Sequence, residues 1–117
     1  VLRKQSKHAR RFNSVACWAI VDEKESYFRS KKELSYARHL EFMKKIGEIK
    51  DFEHEPQTFY FDGIRRGVTN YKPDFKVIRL DGTHFWVEVK GYMDAKSATK
   101  IKRFRKYFPN EELVVVT

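Results

Sequence analysis

The sequence predicts an α/β domain, with helices laid against a central mixed sheet. Two stretches, 31–46 and 95–108, carry apolar residues at helical spacing. Between and around them lie short strand-like runs bounded by turn residues. Their order is hairpin, helix, three strands, helix, strand. The closing strand–helix–strand passage implies a parallel crossover, so the sheet is mixed.

Residues 1–13 read as a basic arm, with Arg3, Lys4, Lys7, Arg10 and Arg11. A single domain is expected over 14–117. The apolar run 15–21 is a strand, 22–25 a polar turn and 26–29 a returning strand; Trp18 is assigned to the core. Ser30-Lys31-Lys32-Glu33 is a capping box that opens the first helix. Leu34, Ala37, Leu40, Met43 and Ile46 mark its inner face, and Gly47 stops it. Residues 48–56 are taken as a connection. A strand follows over 58–61, starting near Gln57, then the basic loop Ile64-Arg65-Arg66-Gly67. Val68 leads into the strand that holds Asp74. Asp94 caps a second helix whose inner face is Ala98, Ile101, Phe104 and Phe108. Pro109-Asn110 turns the chain into the apolar strand 113–116, which reads as covered on both faces. The chain is expected to continue beyond Thr117.

Composition bounds the function. The 117 residues suit one domain, and the net charge of +9 favours a polyanionic partner, nucleic acid above all. No apolar run approaches the roughly 18 residues a membrane span needs. Cys17 is the single cysteine, which leaves no internal disulfide and no cysteine-based zinc site. A reducing, cytoplasmic setting is the expectation.

The candidate chemistry lies in 71–91, where two strand-like runs flank Asp81-Gly82. Opposite residues of an antiparallel pair share a face. A two-residue loop would set Phe75 against Glu88, mixing buried and charged side chains. A three-residue loop, Leu80-Asp81-Gly82 with Gly82 as a bulge glycine, sets Phe75 against Val87 and Val77 against Phe85. That register makes one face apolar. It also places Asp74 opposite Glu88, with Lys90, Lys76 and Trp86 on the same side. Two adjacent carboxylates repel and call for a cation between them. Hard oxygen ligands suit Mg²⁺, with Mn²⁺ as a substitute, and the Val89 carbonyl offers a third oxygen. Lys90 beside them can orient a water or stabilise phosphate charge. The alternative is a surface hairpin in which Lys90 merely pairs with the acids.

Pro73-Asp74, thirteen intervening residues and Glu88-Val89-Lys90 resemble the signature of the PD-(D/E)xK nuclease superfamily. The order of elements from Ser30 onward is similar to that of its restriction-endonuclease-like core. Ser30-Lys31-Lys32-Glu33 at the helix start is most like small phage and prophage endonucleases. The resemblance implies metal-dependent hydrolysis of DNA phosphodiesters, with Asp74 and Glu88 on the metal and Lys90 assisting the water. It implies that the helix acid Glu33 completes the metal site, a role that competes with capping, and that Gln57 contacts the metal-bound water or phosphate, which competes with a strand-edge hydrogen bond. Lys96, Lys100, Arg103 and the Arg65-Arg66 loop are the candidate phosphate contacts. Two alternatives stand beside the endonuclease: a non-catalytic nucleic-acid-binding module on the same fold, and the nuclease subunit of a transposase-like complex. Cutting both strands would suit a homodimer. His39, His54 and His84 are assigned structural or surface roles, and Tyr71 and Tyr92, which flank the motif, packing, with stacking on a base as the alternative.

Overall fold

The computed structural model describes residues 16–117, so the basic arm read at 1–13 lies outside the described residues. The chain runs β1 (Cys17–Val21), β2 (Lys24–Phe28), α1 (Lys31–Lys45), β3 (Asp51–His54), β4 (Phe59–Tyr60) and β5 (Asn70–Tyr71). It continues with β6 (Phe75–Ile78), β7 (His84–Val89), α2 (Ala95–Tyr107) and β8 (Leu113–Val116). The central sheet has the order β3-β6-β7-β8. Its first three strands pair antiparallel and β8 pairs parallel to β7, which makes the sheet mixed. Among the described residues no helix is long and apolar enough to cross a membrane.

The first sheet strand corrects the sequence reading. Residues 51–54 were expected to be connection, yet they pair with β6, Phe52 against Val77 and His54 against Phe75. Asp-Phe-Glu-His offers one strong strand former, and an edge strand needs little more: Phe52 alone is buried. The aromatic run at 58–61 instead forms a separate two-stranded ribbon, Phe59 opposite Tyr71 and Tyr60 opposite Asn70.

The hairpin is tighter than expected. Asp22 and Glu23 alone make the turn, both at positive φ (53° and 66°), as a two-residue turn matching the strand twist requires. Trp18 is 66% exposed, against its assignment to the core. Alternation turns Ala19 and Val21 inward and leaves Trp18 on the outer face, against Tyr27 at 5.3 Å. Lys44 of α1 fastens this hairpin to the sheet, reaching Asp22 at 2.8 Å and Asp51 at 3.0 Å.

Both helices are capped as their sequences direct. Ser30 Oγ accepts from the Glu33 N–H, and Asp94 Oδ1 from the Ser97 N–H. Gly47, at φ 81°, closes α1: its N–H donates to the Lys44 carbonyl while the Glu48 N–H donates to that of Met43. Helix α1 ends one residue before Ile46, which is 52% exposed beyond the core. On α2, Ser97 rather than Ala98 turns inward with Ile101 and Phe104.

Each sheet face has its own core. Phe75, Val77 and Val87 pack with Phe52 against Ala37 and Leu40 of α1 and Val21 and Phe28 of the hairpin. On the other face Trp86 and Leu113 pack against Ile101 and Phe104 of α2 and Phe59 and Tyr71 of the ribbon.

The β6–β7 register is the one that the apolar alternation favours. Phe75 lies opposite Val87, Val77 opposite Phe85 and Ile78 opposite His84. The Arg79 N–H donates to the Thr83 carbonyl, and the Gly82 N–H returns to that of Arg79, enclosing the three residues 80–82. Gly82 sits at φ 89°, and a Cβ there would meet nothing within 4 Å. The glycine is therefore required by backbone conformation alone. Gly82→Ala is expected to cost about 1 kcal/mol in a urea titration. An unchanged midpoint would show that the bulge does not constrain this loop.

Candidate active site

Parallel growth of β7 and β8, with β6 running against them, brings particular chain ends to one end of the sheet. Asp74 precedes β6, while Glu88, Val89 and Lys90 close β7. Helix α1 begins there too, bringing Ser30 and Glu33, and so does α2, bringing Lys100 on its second turn. These groups line one open cleft of about 920 Å³. Asp74, Glu88 and Glu33 are buried, at 7%, 6% and 5% exposure.

Extending the register by one residue sets Asp74 opposite Glu88 in a close, non-hydrogen-bonded pair. One further step sets Pro73 opposite Val89, where the ladder would next exchange bonds. Proline has no N–H to give. The Val89 N–H instead donates to Asp74 Oδ2 at 2.7 Å. The carbonyl of a strand residue points to the same side as its N–H, so that of Val89 is turned to Asp74 and receives no ladder donor from Pro73.

Each acid is held by a specific donor. Val89 holds Asp74. The buried Tyr71 hydroxyl donates to Glu88 Oε1 at 2.5 Å, and Lys90 Nζ lies 3.4 Å from Glu88 Oε2. Glu33 Oε2 is 2.6 Å from His54 Nε2, so its carboxylate is engaged across the α1–β3 interface. The Glu33 backbone takes the cap bond while its side chain serves the cleft wall. Capping and a site role thus use different atoms of one residue.

Electrostatics set this end of the sheet apart. Burial, with the adjacent Glu88 charge adding to it, pushes the Asp74 carboxyl up to about 8, against the opposing Val89 N–H. Burial also raises Glu88, with Tyr71, Lys90 and Lys100 opposing. The Tyr71 hydroxyl is driven far above its ordinary range by burial and by Glu88. Both acids therefore resist ionisation in the protein alone, and a cation between them would relieve that resistance. The donor set fits a hard divalent cation: carboxylates, a strand carbonyl and no sulfur.

A second grouping is present. Among the described residues, Glu33, His54 and Glu55 offer ligand atoms within 4.8 Å of one another. Their bonds are already made: Arg29 holds Glu55 at 2.6 Å, and His54 is bonded through both ring nitrogens. This is a satisfied hydrogen-bond network, whereas Asp74 and Glu88 are the pair whose carboxyls burial makes harder to ionise. Glu55 is at φ 47°, an uncommon backbone for a glutamate, and its N–H donates to the Asp74 carbonyl at 2.8 Å.

The remaining predicted residues divide. Lys100 lines the cleft and acts on Glu88. Arg103 is turned to the Val68 carbonyl, tying α2 to the segment before β5. Lys96, Arg65 and Arg66 are exposed outside the cleft wall, and so is Gln57, whose expected position depended on the strand at 58–61. Arg29, Lys32 and Lys72 join the lining without having been given a site role, and so does Tyr92, which was assigned to packing but is 80% exposed. Tyr71 and His54 were read as packing and structural residues. Tyr71 is one of the flanks of the motif, but only the fold shows that its hydroxyl turns to Glu88.

A family model described as "Protein of unknown function (DUF1064)" matches residues 15–117. A search of curated proteins finds no match.

Proposed function

The chain belongs to the DUF1064 family, and for it we propose a metal-dependent DNA endonuclease with a restriction-endonuclease-like core. The observation that carries this reading is the buried pair Asp74 and Glu88, facing one another in a lysine-rimmed cleft with Lys90 against Glu88. Two buried acids where a polyanion would lie serve no purpose in simple binding. The sheet order supports the same reading: helix, edge strand, two antiparallel strands, helix and parallel strand. It departs from the sequence expectation in drawing its first strand from 51–54 and in starting β6 just after Asp74, the run from Val68 having gone to the separate strand β5.

A bound Mg²⁺ or Mn²⁺ would polarise a phosphodiester oxygen and acidify a water. Asp74, Glu88 and the Val89 carbonyl would hold it, with Glu33 at the wall. Tyr71 keeps Glu88 turned to the cleft through Oε1, leaving Oε2 to Lys90 and the cleft. Lys90 orients the attacking water or offsets phosphate charge. Lys32, Lys72 and Lys100 bind the flanking sugar–phosphate backbone, and the net charge of +9 draws the polyanion in.

Nicking of supercoiled plasmid tests the reading, with Mg²⁺ against EDTA. Glu88→Ala is expected to reduce nicking to background, and Lys90→Ala to slow it by roughly two orders of magnitude. Both should still bind DNA. Cleavage that survives in Glu88→Ala would overturn the assignment. Binding by the unmodified protein with no cleavage would establish the non-catalytic module instead.

A further inference from the structure

We infer that His54, held by Ser26 and Phe28 of the N-terminal hairpin, is a positioning residue that fixes the Glu33 carboxylate at the cleft wall. The hairpin thereby becomes part of the site although it lies outside the sheet. This rests on the reading of Glu33 as a cleft acid.

His54 Nε2 is 2.6 Å from Glu33 Oε2, and Nδ1 is 2.6 Å from Ser26 Oγ. A carboxylate oxygen accepts, so Nε2 carries the proton. Nδ1 faces the Ser26 hydroxyl, which can donate to it or accept from it and so satisfies the ring in either protonation state. The ring plane is fixed as well. Phe28 stacks on it at 4.4 Å with planes 23° apart, and Phe75 packs at 5.1 Å. Phe28 is 1% exposed and Phe75 fully buried, so both walls are rigid. The His54 and Glu33 side chains are themselves 10% and 6% exposed. Ser26 and Phe28 alternate on β2 and so face the same way, toward His54. The hairpin thus supplies one hydrogen bond and one stacking surface to one imidazole. That imidazole in turn leaves Glu33 little rotational freedom. A side chain that hydrogen-bonds a cation ligand and so fixes its orientation sets both affinity and geometry.

Mg²⁺ titration by calorimetry, alongside ¹⁵N spectroscopy of the imidazole in the cation-free protein, tests this. The spectrum should place a proton on His54 Nε2; its absence there overturns the inference. His54→Leu, which keeps an apolar filler between Phe28 and Phe75, should weaken Mg²⁺ binding by about 10- to 100-fold. His54→Gln, which retains an N–H donor near Nε2, should recover most of that loss. Ser26→Ala should give a smaller weakening in the same direction. In a Glu33→Gln background, His54→Leu should add nothing. An unchanged Mg²⁺ affinity in both His54→Leu and Ser26→Ala overturns the inference. It does so while the nuclease reading stands, provided that Glu88→Ala still abolishes nicking. If His54→Leu fails to fold, Ser26→Ala and His54→Gln decide the matter alone.

Discussion

Asp74→Asn is expected to abolish cleavage and, at the same time, to make the cation-free protein more stable. The carboxyl of Asp74 is pushed up to about 8, chiefly by burial and then by Glu88. In the unfolded chain it ionises near pH 4. A group raised in the folded state gives its full stability below the unfolded value. That stability is lost as the pH rises toward the folded one, because the unfolded chain ionises first. At pH 8 the ionisable side chain therefore costs a few kcal/mol. Asparagine removes that cost and still offers an oxygen to the Val89 N–H. Urea titrations in EDTA should show the variant ahead of the unmodified protein at pH 8 and much less so at pH 5. Adding Mg²⁺ at pH 8 should raise the midpoint of the unmodified protein and leave the variant where it was. A variant less stable than its parent at pH 8 without cation would refute this account of Asp74.

Phe104→Ala should give the largest loss of stability of the substitutions considered, about 3–5 kcal/mol. Phe104 is fully buried on the inner face of α2. Its ring meets Phe59 edge-on at 4.9 Å, Tyr71 at 5.5 Å and Phe108 at 5.7 Å. Removing it opens a cavity among aromatic rings that have few alternative packings. Typical domains hold only about 5–15 kcal/mol in total, so a large share would go. The same ring backs Tyr71, whose hydroxyl holds Glu88. Nicking activity, measured well below the unfolding midpoint, should therefore fall as well. A denaturation midpoint within experimental error of the parent would show that the second core is not built around this side chain.

The hairpin of β6 and β7 was legible because one periodicity and one glycine constrain it together. Phe75, Val77, Phe85 and Val87 alternate, and Gly82 can take the positive φ that a three-residue loop requires. The pairing of Asp74 with Glu88 followed from those facts alone. The caps at Ser30 and Asp94 were legible for a similar reason, since a cap is written within four consecutive residues. What escaped depends on neighbours distant in the chain. Asp51–His54 has weak strand character of its own and becomes a strand because β6 offers it an edge. Phe59 and Tyr60 have strong strand character and are drawn off to pair with β5 instead. Trp18 has the bulk of a core residue, but alternation on β1 gives the inward positions to Ala19 and Val21. Tyr71 and His54 carry no local sign of their partners, which lie 17 and 21 positions away.

Pro73 shows how a site can be written by omission. The two letters Pro-Asp give separate instructions at one boundary. The second supplies a carboxyl; the first withholds a hydrogen. An ordinary residue at 73 would carry the ladder one rung further and pair off the carbonyl of Val89. With proline the rung is left open, in phase with the acid beside it, and the sheet ends where its backbone can still accept a ligand. The termination of a strand, usually counted as a loss of structure, here leaves a backbone oxygen beside a buried acid.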